Sequence, residues 1–165
     1  MRSDFRDTQK DYATYLPAIS SFYSAYIGKQ RYEEFVPTDR IPSRFTNGIE
    51  GLNFLNMDEG YFKYPWALYS AGHANMDLEK FVPKEDMVRN RDSFPNNVLV
   101  GDSGGFQISK GVWEGQWLEP YGVDQKTDKL RETVLRFLEG TFDYSMVLDL
   151  PTFSVAHADK HGIDT

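Results

Sequence analysis

The chain has 165 residues and a formal net charge of −7, from 25 acidic and 18 basic residues. That length suits one domain with a buried core and falls short of the roughly 250 residues of a complete (β/α)8 barrel. The acidic balance gives no overall attraction for nucleic acid, and the absence of cysteine excludes disulfides and thiolate-bound zinc.

No apolar run approaches the ~20 residues of a membrane span. The opening MRSDFRDTQKDYATYLPA has no apolar stretch of the kind a secretion signal needs, so the expected location is cytoplasmic. Twelve Phe, ten Tyr and three Trp supply enough ring surface for a packed interior.

In chain order, residues 16–35 are expected to hold a helix, with Ile19, Phe22, Tyr23, Tyr26 and Ile27 as its apolar positions. Pro37, Pro42 and the Asn47-Gly48 pair mark a connecting region, and residues 49–63 carry no clear period. Residues 1–60 are therefore taken as an N-terminal helical extension, and 61–165 as the body of the domain.

WALYSAG, 66–72, reads as a buried strand closed by glycine. VPKEDMVRNRD, 82–92, reads as a short helix with Pro83 in its first turn. NVLVGD, 97–102, is an aliphatic run suited to a buried parallel strand. TDKLRETVLRFLEG, 127–140, is the clearest helix: Thr127 is placed to cap it, Leu130, Val134, Leu135, Phe137 and Leu138 share a face, and Gly140 marks its end. Lys129, Arg131, Glu132 and Arg136 form its solvent side. YSMVLDLP, 144–151, is a further strand that Pro151 ends.

Alternating strands and helices predict an α/β fold with a parallel sheet. In such sheets reactive groups gather at the carboxyl ends of the strands. His73, Asp102 and Asp149 all fall there.

The central motif is VLVGDSGGFQ, 98–107. GDSGG surrounds the nucleophilic serine of trypsin-like proteases, and His73 is a candidate base for Ser103. Against that reading stand the α/β alternation, the lack of cysteine, the spacing of only 30 residues between His73 and Ser103, and Phe106 where the protease string continues with proline. A second reading makes Gly104 and Gly105 an anion cradle, but no GK[ST] follows to complete a P-loop.

DSGGFQ at the end of an aliphatic strand, followed by the 127–140 helix and a strand ending in Asp, resembles the tRNA-guanine transglycosylase family. The resemblance spans about residues 66–153. It implies a partial (β/α)8 TIM barrel of roughly the first three β/α units. It also implies base exchange: an Asp carboxylate displaces guanine at ribose C1′, and a 7-deazaguanine of the queuosine or archaeosine type then takes its place. Some relatives in viruses and bacteria do this in DNA instead of tRNA.

By resemblance Asp102 serves base binding and proton transfer, Phe106 stacks on the flat ring, and Gln107 and Asp149 read the base edge. Ser103, Gly104 and Gly105 line the pocket, with His73 as a further binding candidate. The family's covalent Asp lies late in its barrel, beyond the region matched here. The expectation is thus a chain that supplies the base pocket, holds no cofactor or metal, and partners guanine-type bases and tRNA or DNA; either a second polypeptide completes the barrel, or the chain is a truncated or split-gene fragment of one. The alternatives are a binding or accessory subunit, and a barrel hydrolase using Asp102 and Asp149 as acid and base.

Plainer roles stand beside these. Asp102 can cap its loop, Asp149 can pair with a cation, Phe106 can be core, and His73 can be a polar strand end. His157 and His161 in HADKH have metal-ligand spacing on a helix, yet histidines near a polar chain end are more often solvated. Trp113 and Trp117, in GVWEGQW, either pack over the loop or flank a nucleic-acid strand.

Overall fold

The computed structural model describes residues 13–32, 36–74, 87–88, 96–115, 117, 125–149, 151–152 and 159. Four parallel strands form one sheet in the order β1 (Ala18–Ile19), β2 (Trp66–Ser70), β3 (Val98–Asp102), β4 (Tyr144–Ser145). Between them lie α1 (Ser21–Tyr32), α2 (Gly105–Ser109) and α3 (Gln125–Thr141). The class is α/β, as the alternation predicts. Among the described strands each lies beside its predecessor in the chain, with no reversal of order.

β2 and β3 form the long pairing, from Trp66 opposite Val98 to Ser70 opposite Asp102. Ala67, Tyr69, Val98 and Leu99 are buried, as a parallel strand covered on both faces requires. Two rungs precede the strands proper: Leu68 N–H donates to the Pro17 carbonyl at 3.0 Å, and Val98 N–H to the Pro65 carbonyl at 2.7 Å. The strand expected over 66–72 stops at Ser70, and Ala71 and Gly72 form the turn after it. The strand expected over 144–151 keeps only two residues in the sheet, although Met146 N–H still reaches the Gly101 carbonyl at 2.9 Å.

The N-terminal segment is not purely helical. Ala18 and Ile19 pair with Leu68 and Tyr69, so the sheet runs across the division placed at residue 60. Two residues are too few to show a period-2 pattern, which is why the segment reads as helix. α1 follows, with the Ser20 hydroxyl accepting from Tyr23 N–H at 3.2 Å as an N-cap. It buries Ser24 and Ile27, while Phe22, expected on the apolar face, is exposed and stacks on Tyr26 at 5.9 Å. Tyr23 donates to the Leu52 carbonyl. Burial pushes its phenol above the ordinary 10.0, with a main-chain hydrogen bond at Phe54 acting the other way.

α3 begins two residues earlier than its sequence suggests. Thr127 therefore sits inside the helix and is buried, and does not cap it. Val134, Phe137 and Leu138 pack inward with half-buried Leu130, whereas Leu135, expected beside them, is exposed. Phe137 meets Phe142 at 5.3 Å and Tyr69 at 6.4 Å, both edge to face. Burying each such side chain is worth ~1.5–3 kcal/mol. Gly101 makes room for this: a Cβ there would lie 2.6 Å from the Phe142 ring and 2.7 Å from Leu138. On the outer face Arg136 pairs with Glu132 at 2.5 Å, whereas Arg131, expected beside them, is half-buried over the Trp117 ring and pairs with Asp128 at 2.7 Å.

The helix expected over 82–92 lies outside the described residues except for Met87 and Val88, both buried. Among the described residues no helix is long and apolar enough to cross a membrane.

Asp143 clamps β3 twice. Its carboxylate accepts from Leu99 N–H at 2.9 Å, and its own N–H donates to the Leu99 carbonyl at 3.0 Å. Asp143→Ala strands the N–H of a buried residue, so it should lower stability by ~1–3 kcal/mol in denaturant melts. Asp143→Asn, whose amide oxygen still accepts, should recover part of that loss.

Candidate functional site

The carboxyl ends of β2 and β3 lie side by side, and Ala71 N–H donates to the Asp102 carbonyl at 2.8 Å. Asp102 is half-buried as the last residue of β3. No described residue hydrogen-bonds its carboxylate, which leaves both oxygens for a guest.

Ser103 turns the other way. It is fully buried, and its Oγ has no hydrogen-bond partner among the described residues. A nucleophilic serine needs a base in reach and an open approach, so the protease reading of GDSGG fails on geometry. His73 is exposed on the same rim, its N–H bonded to the Ser70 carbonyl at 2.9 Å, and it does not hydrogen-bond Ser103.

Gly104 takes the left-handed conformation at φ +84°, which an L side chain disfavours. This reverses the chain so that α2 starts at Gly105. Gly105 lies against Asp149: a Cβ built on it would fall on the Asp149 carbonyl oxygen, with the Asp149 carboxylate 3.4 Å away. Asp102 and Asp149, expected to converge from separate strands, thus flank the same short segment. Asp149 itself is exposed.

Phe106 is 52 % exposed, an open ring and not a core residue. The Lys110 ammonium stands over it at 5.3 Å from the centroid, a cation–π arrangement. Gln107 is half-buried, its side-chain amide lying across Gly72 where a Cβ would otherwise sit. Its Oε1 is buried with no hydrogen-bond partner among the described residues. A buried amide oxygen left unbonded is costly.

The rim therefore brings together Asp102, Gly104, Gly105, Phe106, Gln107 and Asp149, with His73 beside them and Ser103 beneath. It offers a carboxylate acceptor, an amide and an exposed aromatic plate, a set suited to a flat polar heterocycle.

Two contributors escape a sequence reading. Lys110 follows Phe106 by four residues, a helical spacing, but α2 is too short to show a period. Gly72 reads only as a strand stop. Trp113, for which packing over the loop is one of two expected roles, lies against Gly104. Among the described residues no group of three or more His, Asp or Glu is placed to hold a metal; His157 and His161 lie outside them.

No family model, curated protein or solved structure matches this chain.

Two substitutions probe the local construction. Gly105→Ala should displace residues 146–149 and cost ~1–3 kcal/mol, as forced overpacking does, measured by thermal or denaturant unfolding. Ser103→Ala removes a hydroxyl with no described partner, so its melting temperature should equal or exceed that of the wild type. A marked fall would reveal a bond that the serine makes.

Proposed function

We propose that this chain supplies the base pocket of a base-exchange glycosyltransferase of the tRNA-guanine transglycosylase type. It would act in tRNA or DNA, within a (β/α)8 barrel whose remaining strands add at the β4 edge. The observation that carries the reading is the build of the DSGGFQ segment: Asp102 ends a parallel strand with no described residue on its carboxylate, Phe106 is 52 % exposed four residues on, and Asp149 lies against Gly105.

In this reading the guanine ring stacks on Phe106, by displacing Lys110 or sharing the ring with it. Asp102 accepts from the N–H edge of the base, and Asp149 and Gln107 read the remaining donors and acceptors. The exchange breaks the bond from ribose C1′ to guanine and forms one to the incoming 7-deazaguanine, so one proton passes from the arriving base to the departing one. Asp102 is the group placed to carry it. No described residue is assigned the covalent role.

The completed barrel has two supports. The sheet is wound in one direction with its neighbours in chain order, as in such barrels. Among the described residues no strand pairs with the outer edge of β4, and Tyr144, Met146 and Val147 are exposed. Beside it an open groove of ≈ 570 Å³ runs between α3 and residues 145–148, lined by Leu135, Leu138, Met146 and Val147. A binding or accessory subunit is the second reading. It keeps the same pocket and differs only in performing no exchange.

Calorimetric titration should detect guanine and aminomethyl-7-deazaguanine bound to the wild-type chain and not adenine. Asp102→Ala should weaken binding by ~1.5–3 kcal/mol, the worth of a hydrogen bond to a charged group, and Phe106→Ala by ~1–3 kcal/mol of lost stacking. A wild-type chain that binds no guanine-type base overturns the proposal. Incubated alone with labelled guanine and tRNA or DNA, the chain should incorporate no label. Incorporation would show that it carries its own nucleophile.

A further inference from the structure

The pocket proposed above does not use Trp113, yet the rim is built against it. A Cβ on Gly104 would lie 2.8 Å from Trp113 Cη2 and 2.8 Å from the Gly72 nitrogen. The Gly104 main chain is therefore held between the far edge of the indole and the turn that follows β2.

The same residue is tied to the site and to the scaffold. Trp113 N–H donates to the Gln107 carbonyl at 3.2 Å, beside Val112 N–H at 2.9 Å. The Trp113 carbonyl accepts from Trp117 Nε1 at 3.3 Å. Trp117 is buried, and the Arg131 guanidinium lies 5.1 Å from its ring centroid. Of the two roles its sequence leaves open, packing over the loop is the one these contacts describe. A continuous set of contacts runs from α3 through Trp117 and Trp113 to Gly104 and Gln107.

A glycine at positive φ has many other conformations open to it, so something outside it must select one. Here the selecting surface is the indole edge on one side and Gly72 on the other. Asp102 leads into Gly104 two residues earlier, and the Gln107 amide rests on Gly72. Both directions depend on the same clamp.

We infer that Trp113 is a positioning residue of this rim. Its indole fixes Gly104 against Gly72, and so aims the Asp102 carboxylate and the Gln107 amide at the donor-bearing edge of guanine. Adenine presents an acceptor at its ring N1 where guanine presents a donor, so correct aim is what separates the two bases. The inference rests on the base-pocket reading for its ligand, but not for its geometry.

The decisive variant is Trp113→Phe. Phenylalanine keeps an apolar ring against the core but does not reach as far as the indole Cη2 edge. Two measurements are made on the intact chain: calorimetric affinity for guanine and adenine, and amide exchange over 103–107 compared with 130–138 in α3. Trp113→Phe should weaken guanine binding about tenfold, the scale of one misaligned charge-assisted hydrogen bond, with adenine still undetected. Exchange should quicken over 103–107 and stay the same in α3. Unchanged affinity with unchanged exchange overturns the inference, as does faster exchange across both segments, which marks general packing. A wild type that binds no guanine sinks the base-pocket reading alone; the exchange comparison then decides for or against the positioning role by the same criterion.

Discussion

Close approach of main chains at the carboxyl rim is the condition on which the site depends. Three stretches meet there: the turn after β2, the bend after β3 and the segment after β4. At each junction one residue has no side chain. Gly72 receives the Gln107 amide, Gly104 lies under Trp113 and against Gly72, and Gly105 touches the Asp149 carbonyl. A methyl group at any of them would occupy the space of its neighbour. Packed interiors do not yield by an ångström without cost, so the acid, the amide and the aromatic plate share a rim only because these joints are bare.

Much of this was readable beforehand, for identifiable reasons. β2 and β3 are continuous aliphatic or aromatic runs bounded by glycine or polar residues, and α3 repeats its apolar residues at helical spacing from Leu130 to Leu138. Such signals are local and redundant. Asp102, Phe106 and Gln107 stood out because a short motif sat at the end of a recognisable strand. β1 did not stand out, since two residues gain their identity from pairing with Leu68 and Tyr69 and not from their own pattern. The face of α1 departs from its apolar period at Phe22, which is exposed and stacks on Tyr26. Thr127 looked like a cap because hydroxyl residues favour that position, yet its burial inside α3 reflects packing that no window of sequence encodes. Lys110 belongs to the same category: its role comes from the Phe106 ring that it stands over.

The string GDSGG shows how context decides chemistry. In a serine protease the hydroxyl must point outward to a base. Here the same residues follow a parallel strand whose last side chain, Asp102, takes the outward position. Alternation along the chain then turns Ser103 inward, where it is closed off. Five identical letters exchange their acid and their alcohol between surface and interior, and the acid becomes the group available to a guest.

The two ends of the sheet differ in kind. Where the chain enters β1 and β2 it does so through Pro17 and Pro65, each lending a carbonyl to the neighbouring strand while having no N–H to leave unbonded. Where it leaves β2 and β3 it passes glycines. The entrance is held by carbonyls and the exit by bare main chain in contact. Added bulk at the exit glycines must therefore move the turn or segment leaving a neighbouring strand, so the three exits cannot be altered independently of one another.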